Sequence, residues 1–261
     1  MRAGALIITL LLASGMAAAN EVSHHPMHFD RISLDQGLSQ SNVMAVLQDS
    51  RGLMWIGTEN GLNSYNGYEF QHYKRERGNP AALGSDFIYD LAEDADGNLW
   101  VATNGGGLAR FDRNSRGFTS FRHDAENSNS IASNVVRSLL IDADGSIWIG
   151  TRDSGLDRYD PASGNFTHYR FSDNVDANRN ANEIHTIYKD SAGSLWVGGN
   201  GGLVRLNPET GEFVSFTPDA GNATSLSDNR VRAILEDSQG QFWIGTYGGG
   251  LNRLDLSLIH I

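Results

Sequence analysis

Carboxylates and histidines carry most of the chemistry this sequence could offer, and their spacing decides how much they can perform. Asp94-Ala95-Asp96-Gly97 and Asp142-Ala143-Asp144-Gly145 begin like a calcium loop. Neither closes with a bidentate Glu at the twelfth position, so the expected role of these aspartates is turn formation. His24, His25 and His28 could catch a divalent ion, but they fall in a polar stretch read as a solvated tail. No Ser sits in a nucleophile elbow, no phosphate-binding glycine loop occurs, and no carboxylate pair stands out for acid–base work. The absence of Cys removes thiolate metal sites, disulfides and a Cys nucleophile. The segment is therefore not read as an enzyme, and neither a cofactor nor a metal is expected.

The aspartates acquire meaning from the elements around them. All five tryptophans, Trp55, Trp100, Trp148, Trp196 and Trp243, are separated by 45, 48, 48 and 47 residues. Each follows an Asp by six positions (Asp49, Asp94, Asp142, Asp190, Asp237) and a Gly by three, and each precedes a Gly-Leu pair. A period in the forties belongs to propeller blades or helical arrays. The local chemistry selects blades. A short apolar run precedes each Asp, as in Val43–Leu47 and Ile184–Tyr188. Asp-x-x-Gly suits a hairpin, since Asp can bond turn amides and Gly accepts a left-handed backbone. A Trp-Ile-Gly-Thr type strand, a Gly/Asn turn, a Gly-Leu-x-Arg strand and a strand with paired aromatics (Phe118 and Phe121, Phe166 and Tyr169) complete each repeat. No amphipathic run is long enough and free of Gly to make a helix pair. The fold class is all-β, a β-propeller of four-stranded antiparallel blades. The tryptophans are assigned to wedging between blades, and the repeated Arg110, Arg158, Arg205 and Arg253 to pairing with turn aspartates or with carbonyls of the next blade.

Composition narrows the setting. The 261 residues carry 20 Lys and Arg against 31 Asp and Glu, a net charge of −11, which repels a phosphate backbone and argues against nucleic-acid binding. Arg2, the apolar run Ala3–Met16 and Ala17-Ala18-Ala19 have the form of a secretory signal, with cleavage expected after Ala19. The run is short for a membrane span. The remainder is expected outside the cytoplasm, in the periplasm if the chain is bacterial.

The expected organisation is a signal peptide over 1–19, an N-terminal segment over 20–40, and blades over 41–73, 85–123, 133–171, 182–216 and 228–255. The fifth blade lacks its fourth strand, and 256–261 matches no repeat position. Residues His28–Ile32 form a candidate outer strand that could close five repeats into a ring. The break in mid-turn at the fifth blade favours part of a larger ring instead.

The opening Gly37-Leu38-Ser39-Gln40-Ser41-Asn42-Val43, the five Asp-x-x-Gly-x-Φ-Trp motifs (Φ apolar), the following Gly-Leu-x-Arg and the terminal paired aromatics resemble the two-component regulator propeller repeat. The resemblance covers about residues 29–255, with departures at Ser64, where later repeats have Arg, and at Gly199, where they have Thr. It implies a periplasmic propeller at the N-terminus of a membrane-spanning sensor. Beyond it would come an immunoglobulin-like module, a membrane helix and a histidine kinase (phosphorelay) or diguanylate cyclase output. A homodimer of the full-length receptor fits the same reading. The alternative is a free-standing secreted propeller that binds carbohydrate or protein without signalling. The hairpins are also similar to the Asp-box of sialidases, but the Asp–Gly gap differs and no arginine cluster is assignable from the sequence.

Where the repeat is strict, it serves the fold; a binding site has to break it. Variation concentrates at the turn between the second and third strands and in the polar connections between blades, two regions expected on one face. Asn60, Asn104, Arg152, Asp153 and Asn200 are the expected hydrogen-bonding groups there, and Tyr247 the expected stacking surface, for a polar small molecule or oligosaccharide.

Overall fold

The computed structural model describes residues 28–171 and 181–255. The expected signal peptide, His24, His25, most of the connection from Ser172 to Ala181 and the segment 256–261 lie outside the described residues. The chain divides into two units at Arg31/Ile32. Of the first, His28–Arg31 are described and have no regular structure. All strands belong to the second.

Each Trp repeat becomes one antiparallel sheet whose strands pair in chain order. The first sheet is β1 (Val43–Gln48), β2 (Met54–Thr58), β3 (Gly61–Tyr65) and β4 (Phe70–Tyr73). The second is β5 (Ile88–Glu93), β6 (Leu99–Thr103), β7 (Leu108–Asp112) and β8 (Gly117–Phe121). The third is β9 (Val136–Ile141), β10 (Ile147–Thr151), β11 (Leu156–Asp160) and β12 (Asn165–Tyr169). The fourth is β13 (Ile184–Lys189), β14 (Leu195–Gly199), β15 (Gly202–Leu206) and β16 (Phe213–Phe216). The fifth has three strands among the described residues, β17 (Val231–Glu236), β18 (Phe242–Thr246) and β19 (Gly250–Leu254). The architecture is all-β and built of propeller blades. Consecutive blades meet through their innermost strands: β1 lies against β5, β5 against β9, β9 against β13 and β13 against β17. Among the described residues no helix is long and apolar enough to cross a membrane.

The Asp-x-x-Gly turn explains why this local sequence starts a blade. In the fourth blade Asp190 Oδ2 accepts the indole N–H of Trp196 at 2.7 Å, while Oδ1 accepts the Ser194 amide at 2.7 Å. The same Trp-to-Asp bond recurs in the other blades at 2.8 to 3.1 Å. The turn glycine Gly193 adopts φ +85, where a Cβ would be strained. One carboxylate thus satisfies a turn amide and a buried indole together.

The indoles of Trp55, Trp100, Trp148 and Trp196 are fully enclosed, each against its own outer strand and the following blade. Trp55 stacks on Tyr73 of its own β4 at 5.7 Å and meets Phe111 of the next blade edge-on at 5.1 Å. Trp196 repeats this with Phe216 at 5.9 Å and Phe242 at 4.8 Å. Trp243, with no further described blade to meet, is only half-buried.

Two expectations need correction. The segment His28–Ile32 forms no strand; its Phe29 is 85% exposed, so no apolar packing orders it. The repeated arginines do not reach the next blade's carbonyls. Arg110, Arg158 and Arg205 lie over the indole of their own blade, at 5.8, 5.4 and 5.7 Å from the ring centre. Arg158 also pairs with Asp144 of its own turn at 2.5 Å, and Arg253 donates to Gln241. A planar guanidinium gains more from an aromatic face one strand away than from a longer reach.

Candidate functional site

The innermost strand of each described blade carries a break in its pairing register. In blades one, two, four and five the pairing with the second strand skips a residue, between Val43 and Ala45, Ile88 and Asp90, Ile184 and Thr186, and Val231 and Ala233. In the third blade the same shift falls between Val136 and Ser138. The skipped residues are Met44, Tyr89, Arg137, His185 and Arg232, each eleven positions before its Trp. A bulge bends the strand and re-aims the unpaired side chain, a device common near sites. The residue before the bulge is apolar and buried in blades two to five, as Ile88, Val136, Ile184 and Val231.

Blades three to five join their bulge residues into one polar network. Arg137 donates to His185 Nδ1 at 3.1 Å and pairs with Glu183 at 3.0 Å, and its guanidinium lies over the Tyr89 ring at 5.4 Å. Asn200 donates to Glu183 at 2.5 Å and accepts from Arg232 at 3.2 Å. Arg232 and Arg230 lie over the Tyr247 ring at 5.7 and 4.9 Å. Arg230 is bound by Asp228 through two bonds of 2.9 and 2.8 Å. Hydrogen bonds from Arg230 hold the Asp228 carboxyl down at about 2. Burial, reinforced by the positive charges of Arg232 and Arg137, pushes His185 down to about 4, so the imidazole is neutral at neutral pH. Arg232 is itself lowered, by burial first and by the neighbouring arginines.

The sequence-derived candidates divide between this network and isolated turns. Asn200 and Tyr247 are brought together through Arg232. Asn60 donates to the Ser39 carbonyl at 3.3 Å and accepts from Lys74 at 3.1 Å within the first blade. Asp153 accepts from Ser154 in its own turn, and Arg152 is exposed beside it. Asn104 forms a backbone bridge with Val135 of the next blade. The turn itself is anchored: the amides of Asn104, Arg152, Asn200 and Tyr247 each bond the carbonyl that precedes an inner strand, namely those of Phe87, Val135, Glu183 and Arg230. Arg137, Glu183, His185, Arg230 and Arg232 escaped sequence reasoning. The legible signal was the position eleven before Trp, where residue type changes from blade to blade.

The half calcium loops are occupied by protein groups. Asp144 accepts from Ser146 and Arg158, and Asp142 from Trp148 and Lys189. Among the described residues no group of three His, Asp or Glu side chains is gathered for a metal. A cleft of about 590 Å³ lies at this opposite, Asp-x-x-Gly end, lined by Asp142, Trp148, Lys189, Arg205 and Phe213. A second of about 350 Å³ lies beside Trp55, where Ser64 replaces the arginine of later blades. Both are grooves between blades bridged by a cation, Lys189 to Asp142 in the first and Arg113 to Asp49 at 2.8 Å in the second.

The sequence profile described as two component regulator propeller matches residues 37–60, 82–105, 130–153, 178–201 and 225–248. A stretch of 68 residues is 32% identical to histidine kinase P4 of Formosa agariphila, covering 26% of this chain and 5% of that protein. The fold is similar to the extracellular domain of BT4673 from B. thetaiotaomicron, described as a hybrid two-component system (TM-score 0.67, 26% identity, 82% of this chain and 27% of that one). It is also similar to the extracellular domain of BT3049 from the same organism (TM-score 0.55, 24% identity, 86% of this chain and 41% of that one), a likeness of fold alone. The chain thus spans well under half the length of these relatives.

Proposed function

This chain belongs to the two-component regulator propeller family through its five matched repeats, and from that premise we propose that it is the ligand-sensing propeller of a membrane-bound signal-transduction protein. It stands outside the cytoplasm, exported by the signal over 1–19, and the output is a histidine kinase or a diguanylate cyclase. The segment binds and does not catalyse. The ligand is a polar small molecule or oligosaccharide held on the face of the second-to-third strand turns, with Asn200 and Tyr247 among its contacts and Asn60, Asn104, Arg152 and Asp153 on the same kind of turn.

One observation carries the reading. Five blades share a scaffold strict enough to superimpose Asp, Gly and Trp, yet at the inner-strand bulge they carry Met44, Tyr89, Arg137, His185 and Arg232. Rigid repeats that vary at a recurring position can present a site without disturbing the scaffold. The likeness to extracellular domains described as two-component systems supports the placement.

The test is to read the gene beyond codon 261 and to fuse a reporter active only outside the cytoplasm after Asp255. A membrane-spanning segment followed by a kinase or cyclase module, with an active reporter, is the expected result. A stop codon at that point overturns the signalling assignment and leaves a secreted binding propeller. An inactive reporter overturns the placement.

A further inference from the structure

We propose that the bulge residues Arg137, His185 and Arg232 form, with Tyr247, a binding site for a small carboxylate carried on a six-membered ring. The proposal names the ligand class for the sensing face and rests on that reading.

The charge balance of the network is the first ground. Three guanidiniums, Arg137 of the third blade and Arg230 and Arg232 of the fifth, are linked across the fourth and meet two carboxylates. Glu183 pairs with Arg137 and Asp228 with Arg230. Arg232 has no ion pair among the described residues; its one neutral acceptor is Asn200. Arg232 is an exposed residue whose Nη1 bonds Asn200, so no carboxylate of the fold answers its charge directly. Like charges crowded in this way are costly unless something answers them.

Unmet donors are the second ground. Arginine only donates, so its bond to His185 Nδ1 makes that nitrogen the acceptor and places the neutral ring's proton on Nε2. Arg137 Nε is buried without a hydrogen-bond acceptor, and His185 Nε2 is buried with none at good hydrogen-bond geometry. The Glu183 carboxylate lies 3.5 Å from Nε2, beyond a good bond. Buried donors are rarely left unpaired in a fold that needs nothing more from them.

The geometry then selects the ligand. A planar guanidinium matches a carboxylate with two parallel bonds, a fit that a point charge or a neutral hydroxyl does not reproduce. Tyr247 is 63% exposed and is held under Arg230 and Arg232, offering a flat apolar face beside the anion position. Blades one and two place Met44 and Tyr89 at the equivalent bulge, so positive charge is concentrated on one side. A sugar acid and an aromatic acid both present a carboxylate on a ring, and the experiment separates them.

Isothermal titration of the full chain with glucuronate, benzoate, glucose and inorganic phosphate tests the site. Glucuronate or benzoate is expected to bind, the tighter of the two identifying the source, with glucose and phosphate each at least tenfold weaker. Arg232→Gln is expected to weaken that binding about tenfold or more, the loss of one charge-assisted contact, and Arg232→Lys to restore only part of it. Arg51→Gln, an exposed arginine in the first blade's Asp-x-x-Gly turn, serves as control and leaves affinity unchanged. A melting curve for each variant shows that the fold is retained. No binding of either acid at millimolar concentration, phosphate binding as tightly as the acids, or undiminished affinity in the Arg232→Gln variant would each overturn the proposal. Carboxylate binding by a chain whose gene lacks any output module sinks the sensor reading alone and leaves this site standing.

Discussion

Asp and Trp side chains, which could have been read as chemistry, are largely spoken for by the hairpins that contain them. Each turn aspartate accepts an indole N–H, so its charge is absorbed in holding the core. His185 is the opposite case, a titratable group placed where the fold penalises its charged form. Its folded-state value near 4 lies below the ordinary 6.5, because burial and two arginines oppose protonation. Between those values the unfolded chain takes up a proton that the folded chain refuses, so stability falls as pH drops from about 6.5 towards 4. Asp90 acts in the opposite sense. Burial between β5 and β9 raises it to about 6, so its contribution falls as pH rises through that range. The His185→Gln variant isolates the first effect. Urea unfolding at neutral pH and near pH 5 is expected to show the wild-type protein losing more stability than the variant; equal losses would mean that His185 is not held neutral.

At the scale of the element, the decisive contact is between the second strand of one blade and the first strand of the next. The glycine two positions after four of the five Trp residues lies there. A Cβ on Gly198 would come within 2.5 Å of Val231 in the following blade and 2.8 Å of Thr186 in its own. A Cβ on Gly245, in the last described blade, meets nothing closer than Ala233 at 3.5 Å. Gly198→Ala is therefore expected to cost about 1–3 kcal/mol by overpacking, whereas Gly245→Ala changes stability little; denaturant midpoints of the two variants decide it. The second blade has Ala102 at this place, fully buried beside Val136, so the rule follows local clearance. Polar clamps reinforce the seam. Ser50 donates through amide and hydroxyl to Glu93 at 2.7 and 2.9 Å, and Ser191 does the same to Glu236 at 2.6 and 2.6 Å.

Over the whole molecule, stability is a sum of blades and the seams between neighbours. Blades two to four have a described neighbour on both sides; the first and fifth have one. Val46 on β1, Leu235 on β17 and Leu251 on β19 are 58%, 56% and 67% exposed accordingly. In this chain the amides of β1–β4 and β17–β19 are expected to exchange with solvent earlier than those of β9–β12. Uniform protection across all strands, measured by hydrogen exchange, would contradict a nearest-neighbour account.

The blades were legible because their signals are local: an Asp-x-x-Gly turn, a Trp three residues after the glycine, paired aromatics and a fixed period all act within one hairpin or its immediate partner. The sequence by itself therefore determined the class of fold, the strand order within each blade and the structural employment of Asp49, Asp94, Asp142, Asp190 and Asp237. It misjudged His28–Ile32, because strand-like composition does not supply the apolar contacts that would order a strand. It placed Asn200 and Tyr247 between second and third strands, where they lie, but not beside the same arginine. Only the tertiary structure decided that Arg137, Glu183, His185, Asn200 and Arg232 share one network, since they come from three blades nearly a hundred residues apart. The physical reason is that a bulge redirects one side chain by breaking the two-residue alternation of its strand, and the seam between blades then selects which redirected side chains meet.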